Sequence, residues 1–409
     1  MKNYAFLINE SPVKLWGLSS RERLTRQLAQ VGVTDILTRL DQAPQDAKII
    51  IVRMDYLFPD RVLRTLVGTE ATLLSVPAAG GEIPVAATVV SQNVDQALAW
   101  LSAADTAPEF DGTMARLTPE TLVGDYDSKL RKLAPPKVLP ISESNREVLE
   151  NELFTGVYKG ITDLITKWVW PRPARCVTRW CAERGIQPNH VTGLSLGLTL
   201  LAGWAFMEQY WTLGLAAAWI MTFLDTVDGK LARVTVTSSA FGNIFDHGID
   251  LLAPPVWYVL WGLALGEGGY NPGIMAVALD TTIQLTVIGY IVGRVAEGAF
   301  QLFGECSMFA WRPFDSFFRL ITARRNPNLV LLSVSVLAGR PDLGLLAVAL
   351  WTGLSTVILL VRLGIGLNVG VIKGQPVISW LGQPEQVATN SLAADWFTDK
   401  QTDSVRVAE

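Results

Sequence analysis

The chain of 409 residues is 50% hydrophobic and 18% charged, with a mean hydropathy of +0.30, which excludes an ordinary soluble protein and favours a membrane protein. Its 34 Lys and Arg against 38 Asp and Glu give a formal net charge of -4, so no basic field attracts nucleic acid. The 3 cysteines lack metal-ligand spacing, which argues against a disulfide framework or a zinc site. The N-terminus has no basic segment followed by a long apolar core, so we expect no cleavable signal.

Residues 1–145 mix charges, short apolar runs and turn residues, as a soluble domain does. Strand-like runs such as KIIIVRMD alternate with helix-like stretches such as SSRERLTRQLAQVG, which predicts an α/β domain with a mostly parallel sheet. RERLTRQLAQVGVTDI and KIIIVRMDYLFPDRVLRTL resemble the middle of sugar-nucleotide or MobA-type nucleotidyltransferases, with Asp55 at the metal-binding position of that family. Residues 5–21 contain Gly17 as their single glycine, so the glycine-rich loop that cradles a triphosphate is missing. We therefore expect a catalytically silent domain.

Residues 146–184 are interpreted as a linker that ends in an amphipathic helix. Tryptophans such as Trp168 and Trp180 alternate there with Lys and Arg, which is typical of a helix lying in the membrane interface against lipid headgroups. Pro171 and Pro173 divide the stretch into two segments. A solvated linker is the alternative interpretation.

Residues 185–372 contain apolar stretches that predict six transmembrane helices. The stretch 185–207 carries no Asp, Glu, Lys or Arg and is long enough to cross a hydrocarbon core of roughly 30 Å. Arginines precede the fifth stretch, whereas GEGGYNP between the third and fourth has none, so both termini are expected on the cytoplasmic side of the cell membrane. Residues 373–409 lack periodicity and predict a weakly ordered cytosolic tail. The six predicted spans are 185–207, 211–224, 251–266, 272–292, 327–339 and 343–361.

The strongest functional signal is the string FLDTVDGKLARVTVTSSAFGNIFDHGID. Each aspartate placed in the middle of a membrane costs about 2.5–3.5 kcal/mol on insertion scales, so cations must lie among these acids. Hard oxygen ligands favour Mg²⁺, Mn²⁺ or Ca²⁺, which predicts a divalent-metal site. Helical spacing groups acidic and small residues on one face of each of two helices, with Asp225, Asp228 and Ala232 on the first and Gly242, Asp246 and Asp250 on the second.

This string resembles the signature of the CDP-alcohol phosphotransferases, integral membrane enzymes of phospholipid headgroup synthesis, and the resemblance extends over about residues 150–375. It implies transfer of a substituted phosphate from CDP-diacylglycerol or a CDP-polyol to an acceptor alcohol, with release of CMP. It further implies Mg²⁺ or Mn²⁺ as cofactor and a homodimer. Asp225, Asp228, Asp246 and Asp250 are implied as metal ligands, with Asp250 also the general base. The implied donor-binding residues are Asp225, Asp228, Gly229, Ala232, Arg233 and Gly242.

In this family a basic pocket binds a phosphorylated acceptor, and the segment before the fifth span supplies Arg312, Arg319, Arg324 and Arg325 as candidates. The alternative is that these arginines only fix the membrane topology. Two other functions stay open: a bifunctional enzyme whose N-terminal domain makes the CDP-alcohol, and a non-catalytic membrane scaffold. The missing glycine-rich loop argues against the first, and the complete acid set argues against the second.

Overall fold

The computed structural model describes residues 2–78, 81–102, 114–266, 269–271, 273 and 277–398. The chain divides into two compact units. The first unit extends past residue 145, the predicted end of the soluble domain, because the helix that follows packs Leu149 against Val13 and Leu15. The first unit comprises Met1–Tyr126, Ala134–Val157 and Arg233–Thr237, and the second comprises Asp127–Leu133, Tyr158–Ala232 and Ser238–Glu409.

The first unit is built on a mixed sheet in the strand order β2-β1-β3-β6-β5-β7. Its strands are β1 (Asn3–Ile8), β2 (Asp35–Leu37), β3 (Lys48–Arg53), β5 (Thr72–Ala78), β6 (Gly81–Val90) and β7 (Ala115–Leu117). Four short strands lie outside this sheet, β4 (Tyr56–Leu57), β8 (Tyr126–Asp127), β9 (Lys132–Leu133) and β10 (Leu139–Pro140), of which β9 belongs to the second unit. β1 pairs in parallel with β2 and β3, and β5 with β7, whereas β6 is antiparallel to both of its neighbours. Residues 79–80 are too short a connection for a parallel crossover, which explains the reversal at β6.

Helices cover both faces of this sheet. They are α1 (Ser20–Gln30), α2 (Asp60–Gly68), α3 (Val94–Ser102), α4 (Pro119–Val123) and α5 (Arg146–Gly156). Ile50 and Val52 of β3 belong to the core under α1 and α2, while Ile49 and Ile51 belong to the core under α3. The unbroken apolar run of β3 is therefore explained by burial on both sides. The predicted α/β architecture is confirmed.

The connection between β1 and α1 contains a buried tryptophan. Trp16 is buried, and its backbone N–H donates to Glu150 Oε1 at 3.1 Å while its indole Nε1 donates to the Glu150 carbonyl at 3.0 Å. Asp55, predicted at the metal position of a nucleotidyltransferase, accepts a hydrogen bond from Arg53 Nη2 at 2.6 Å. The resemblance to nucleotidyltransferases and the silence of the domain stay predictions.

A buried arginine joins two segments of the first unit. Nη2 of Arg23 donates to the carbonyl of Leu15 at 3.0 Å and to that of Val234 at 2.8 Å. Arg26 Nη1 donates to the carbonyl of Thr235, also at 2.8 Å. Burial lowers the pKa of Arg23 to about 10, so its guanidinium stays charged at neutral pH. The segment 233–237 is therefore held in the first unit by charged donors.

The second unit is helical. Its helices are α6 (Pro171–Glu183), α7 (Pro188–Met207), α8 (Trp211–Val234), α9 (Ala240–Leu265), α10 (Leu279–Gln301), α11 (Met308–Trp311), α12 (Pro313–Ile321), α13 (Arg325–Leu337), α14 (Pro341–Leu367), α15 (Pro384–Thr389) and α16 (Ser391–Phe397). Among the described residues, four helices are long and apolar enough to cross a membrane: Pro188–Met207, His247–Leu265, Leu279–Gln301 and Pro341–Ile372. They correspond to the first, third, fourth and sixth predicted spans.

The helices at the second and fifth predicted spans are not among these four. Residues 211–224 lie in α8, whose remaining turns carry charged residues. Residues 327–339 overlap α13, which has 13 residues and is about 20 Å long, shorter than a hydrocarbon core of roughly 30 Å. The count of six spans therefore stays a prediction.

Close contact between α10 and α14 depends on small residues of α10. A Cβ atom at Gly289 would lie 3.1 Å from Thr352 Cγ2, and one at Gly293 would lie 3.3 Å from Leu359 Cδ1. The hydroxyl of Thr356 donates to the Gly289 carbonyl at 2.7 Å. This spacing of two glycines is the usual device for bringing apolar helices together.

A helix is present in the predicted segment as α6, which begins at Pro171, a position that prolines favour. Its location in a membrane interface stays a prediction. Trp168, just before this helix, and Trp180, within it, are both exposed. The predicted weakly ordered tail is wrong for residues 373–398, because Trp380 and Phe397 are buried. Isolated aromatic residues anchor this segment, and they leave no periodic pattern in the sequence.

Candidate metal and phosphate-binding site

The predicted acidic residues lie on two successive helices. The C-terminal half of α8 carries Asp225, Asp228, Gly229, Ala232 and Arg233, and the N-terminal half of α9 carries Gly242, Asp246 and Asp250. The backbone N–H of Gly242 donates to Ser239 Oγ at 3.0 Å, which caps α9. A Cβ atom at Gly242 would lie 3.2 Å from Asn189 Oδ1, so this position favours glycine because of close approach to the start of α7.

Arg325 joins the acids of the two helices. Its Nη2 donates to Asp225 Oδ2 at 2.6 Å, and its Nη1 donates to Asp250 Oδ1. Arg325 is therefore paired with the acids, and its predicted role at the acceptor phosphate stays a prediction. Arg325 is the first residue of α13, and the next residue, Asn326, binds a different set of partners.

Asn326 is held by two segments of the second unit. Its Nδ2 donates to Asp163 Oδ1 at 2.9 Å, and its Oδ1 accepts from Thr222 Oγ1 at 2.8 Å. Burial alone would raise the pKa of Asp163, but the positive charge of Arg319 and hydrogen bonds from Thr166 and Asn326 outweigh it and hold that pKa below its usual range. The Asp163 carboxylate is thus a fixed negative anchor for the start of α13.

Asp228 has the surroundings of a cation ligand. Its exposed fraction is 3%, and its Oδ2 accepts from Thr192 Oγ1 at 2.6 Å. Its Oδ1 is buried and has no hydrogen-bond partner among the described residues. Because a buried carboxylate oxygen without a partner is costly, this atom fits a divalent cation held together with the neighbouring acids.

Asp246 lies in α9, and its side chain falls outside the described residues. Among the side chains that the structure does describe, no group of three or more His, Cys, Asp and Glu residues is arranged to hold a metal ion. The full set of Asp225, Asp228, Asp246 and Asp250 therefore stays a prediction. Arg233, predicted at the nucleotide, donates from Nη1 to the Val157 carbonyl at 3.2 Å.

Replacement of Thr192 tests the role of its hydroxyl. Thr192→Val removes the donor to Asp228 at nearly constant volume, and we expect Mn²⁺ affinity to fall about 10–100-fold, as for other groups that orient a metal ligand. Titration of Mn²⁺ followed by electron paramagnetic resonance measures this loss. Thr192→Ser keeps the hydroxyl and should bind Mn²⁺ like the wild type; equal affinity of the valine variant would contradict the assignment.

A second cluster in the same unit is basic. Arg324 Nη2 donates to Glu297, and Arg294 Nη1 donates to the same Glu297 Oε2 at 3.4 Å. Arg319 Nη1 and Arg324 Nε are buried and lack a hydrogen-bond partner within the described part of the chain. Arg294, Glu297 and Arg324 line a small cleft between α10, the α12–α13 connection and α14. Guanidinium donors without partners beside a cleft suit an anion such as a phosphate.

The four arginines predicted to bind the acceptor thus lie in different places. Arg319 and Arg324 lie in the basic cluster, and Arg325 lies between the acids. Arg312 is exposed, with its guanidinium 4.5 Å from the ring centre of Trp311. Arg319, near the end of α12, instead has its guanidinium 5.5 Å from the ring centre of Phe309, so the two arginines contact different rings.

Sequence reasoning missed Arg294, Glu297 and Thr192. Arg294 and Glu297 lie in α10, a candidate span, and ionisable residues inside a predicted span are a general sign of function. That signal could have identified both residues. Thr192 had no comparable signal, because a threonine near the start of a helix is common.

Comparison with known proteins defines this membrane-type helical domain further. Residues 186–312 match the family described as CDP-alcohol phosphatidyltransferase. The predicted resemblance of this segment to the CDP-alcohol phosphotransferases, and with it the predicted transferase class, is confirmed by this match. With the candidate spans, the match makes the chain a multi-pass membrane protein.

Two relatives illustrate the similarity to named proteins. Archaetidylinositol phosphate synthase of Pyrococcus horikoshii is 28% identical over 179 residues, which cover 44% of this chain and 84% of the relative. Cholinephosphotransferase 1 of Gallus gallus is 31% identical over 156 residues, covering 34% of this chain and 44% of the relative. The chain thus spans less than half of that second relative.

A solved structure also matches. The crystal structure of Mycobacterium tuberculosis phosphatidylinositol phosphate synthase (PgsA1) with CDP-DAG bound covers 47% of this chain and 94% of its own, with 16% sequence identity and a TM-score of 0.32.

Proposed function

We propose that the protein transfers a substituted phosphate from a CDP-alcohol to an acceptor alcohol and releases CMP. The observation that carries this proposal is the pairing of acids from α8 and α9 around Arg325, beside the buried and unpartnered Oδ1 of Asp228. The family match over residues 186–312 supports it.

Asp225, Asp228, Asp246 and Asp250 are the proposed ligands of Mg²⁺ or Mn²⁺. The donor set fits, because carboxylate oxygens are what these cations prefer. When bound, a divalent cation neutralises charge that develops on the leaving phosphate. Gly229, Ala232, Arg233 and Gly242 are proposed to lie along the bound cytidine diphosphate.

Asp250 is the proposed general base. It is partly exposed, as a group that meets an acceptor hydroxyl must be. It takes the proton while the acceptor oxygen forms a bond to the phosphorus that carries the donor alcohol and the bond from that phosphorus to CMP breaks. Arg325 keeps the carboxylates of Asp225 and Asp250 in place by charge-assisted hydrogen bonds. Exchange of labelled CMP into the donor without acceptor would contradict this direct transfer.

The acceptor is proposed to be a phosphorylated alcohol. Arg294, Arg319 and Arg324 offer the basic cluster described above, with buried N–H groups that a phosphate would satisfy. Archaetidylinositol phosphate synthase, which the chain matches over 84% of its length, supports a phosphorylated polyol such as an inositol phosphate. Glycerol phosphate is a second candidate acceptor. Because the chain also matches cholinephosphotransferases, the test includes a lipid alcohol as acceptor together with a CDP-polyol as donor.

The test is CMP release by the purified protein in lipid or detergent with Mg²⁺ or Mn²⁺. CDP-diacylglycerol and CDP-inositol serve as donors, each with inositol phosphate, glycerol phosphate and diacylglycerol as acceptors. Acceptor-dependent CMP release that Asp250→Ala abolishes supports the transferase and identifies its substrates. No release with any pair, despite measurable binding of Mn²⁺ and donor, would instead favour a membrane scaffold.

The first unit is proposed to be catalytically silent. Two observations support this proposal: Gly17 is the single glycine of residues 5–21, and Asp55 is paired with Arg53. Pyrophosphate release from CTP by the full-length Asp250→Asn variant would overturn this proposal and favour the bifunctional enzyme, since that variant isolates the first unit's chemistry. Both termini are proposed to be cytoplasmic, and the assembly a homodimer that contacts membrane lipids.

A further inference from the structure

The C-terminal segment 377–397 is packed onto the second unit at several places. The Val377 carbonyl accepts a hydrogen bond from the backbone N–H of Glu305 at 3.0 Å. Phe397 packs edge-to-face against Phe317 with ring centres 5.1 Å apart. Trp396 packs in the same manner against Trp168 at 5.2 Å. We call residues 377–397 the C-terminal strap.

One residue of the strap is fully buried. Trp380 has an exposed fraction of 0%, and its indole Nε1 donates to Ser316 Oγ at 2.9 Å. Ser316 Oγ in turn donates to the carbonyl of Phe309 at 2.9 Å. Two consecutive hydrogen bonds in a buried setting fix the orientation of the groups they join.

The ring of Phe309 lies beside the basic cluster. The guanidinium of Arg319 is 5.5 Å from the ring centre and that of Arg324 is 5.1 Å from it. Both distances are within reach of a cation–π attraction. A shift of Phe309 would therefore change the position of both guanidinium groups, because both contact its ring.

We propose that Trp380 and Ser316 are positioning residues which, through Phe309, set Arg319 and Arg324 for an anionic acceptor group. The inference rests on the proposed acceptor site, and it assigns a role in acceptor binding to a segment outside residues 186–312. The ligand class is a phosphate, either inorganic or carried by an alcohol.

The variant Trp380→Phe tests the proposal, because it removes the indole N–H and keeps an aromatic ring. We expect KM for the phosphorylated acceptor to rise about three- to tenfold, as for loss of one buried hydrogen bond, with KM for the CDP-alcohol and kcat unchanged. Trp219→Phe is the matched control, since Trp219 Nε1 also donates to a serine, Ser333 Oγ, at 2.9 Å. The control should leave acceptor KM unchanged.

A binding measurement separates this inference from the proposed reaction. Inorganic phosphate should raise the Tm of the wild-type protein, and Trp380→Phe should need about three- to tenfold more phosphate for the same rise. If phosphate and Trp380→Phe give these Tm results but no donor and acceptor pair releases CMP, the role of the C-terminal strap is supported and the proposed reaction is rejected.

The proposal is overturned if phosphate has no effect on the wild type. It is also overturned if Trp380→Phe behaves as Trp219→Phe does, or if donor and acceptor KM rise together. If Trp380→Phe does not fold, Ser316→Ala, which removes both hydrogen bonds, is judged by the same outcomes.

Discussion

Replacement of Asp250 by asparagine is expected to lower kcat for acceptor-dependent CMP release by about 10²–10⁴-fold, the usual contribution of a positioned general base. Asparagine has a similar shape but does not take a proton, so the CDP-alcohol should still bind. Initial rates of CMP release and equilibrium binding of the donor, measured on the same preparation, check both statements.

The control for that experiment is Asp280→Asn. Asp280 is an exposed acid in the first turn of α10, and its loss removes one negative charge from the same unit. Its kcat should equal that of the wild type. An Asp250→Asn enzyme that keeps a tenth or more of the wild-type kcat would assign the base to another residue.

The second large effect is expected for Asp228→Ala. Because Oδ1 of Asp228 is buried without a partner and Oδ2 accepts from Thr192, the carboxylate is set for a cation. Its removal should weaken Mn²⁺ binding by at least about 100-fold, more than the loss of the Thr192 hydroxyl, and should abolish CMP release.

Titration of Mn²⁺ by electron paramagnetic resonance measures this effect independently of catalysis. Asp280→Asn again serves as the control and should bind Mn²⁺ normally. An Asp228→Ala protein with unchanged Mn²⁺ affinity would remove Asp228 from the proposed ligands, even if its activity were lost.

The acidic helices were accessible from the sequence because their signal is local. Asp225 and Asp228 are three residues apart and Asp246 and Asp250 four, so helical geometry alone puts each pair on one face. The position of Arg325 was not accessible, because its partners lie 75 and 100 residues away along the chain. Its placement depends on Asn326 and Asp163, which no periodicity reveals.

Two other differences between the sequence-based predictions and the structure also arise from contacts between residues that are distant along the chain or from the length of a connection. The alternating elements of residues 1–145 predicted the α/β class, but the antiparallel placement of β6 depends on the short connection at residues 79–80. The order of the C-terminal strap depends on single anchors such as Trp380, whose partner Ser316 is 64 residues away. Patterns of period 2 or 3.6 carry no information about such contacts.

The carbonyl partners of Arg23 have a practical consequence for anyone who wishes to produce the first unit alone. A fragment ending at residue 145 would lack Glu150, which binds Trp16, and one ending at 157 would still lack Val234, which accepts from Arg23. A buried donor that loses its acceptor costs about 1–3 kcal/mol, a sizeable part of the stability of a small domain. The first unit is discontinuous along the chain, so either fragment is expected to be less stable than the same unit in the full-length protein.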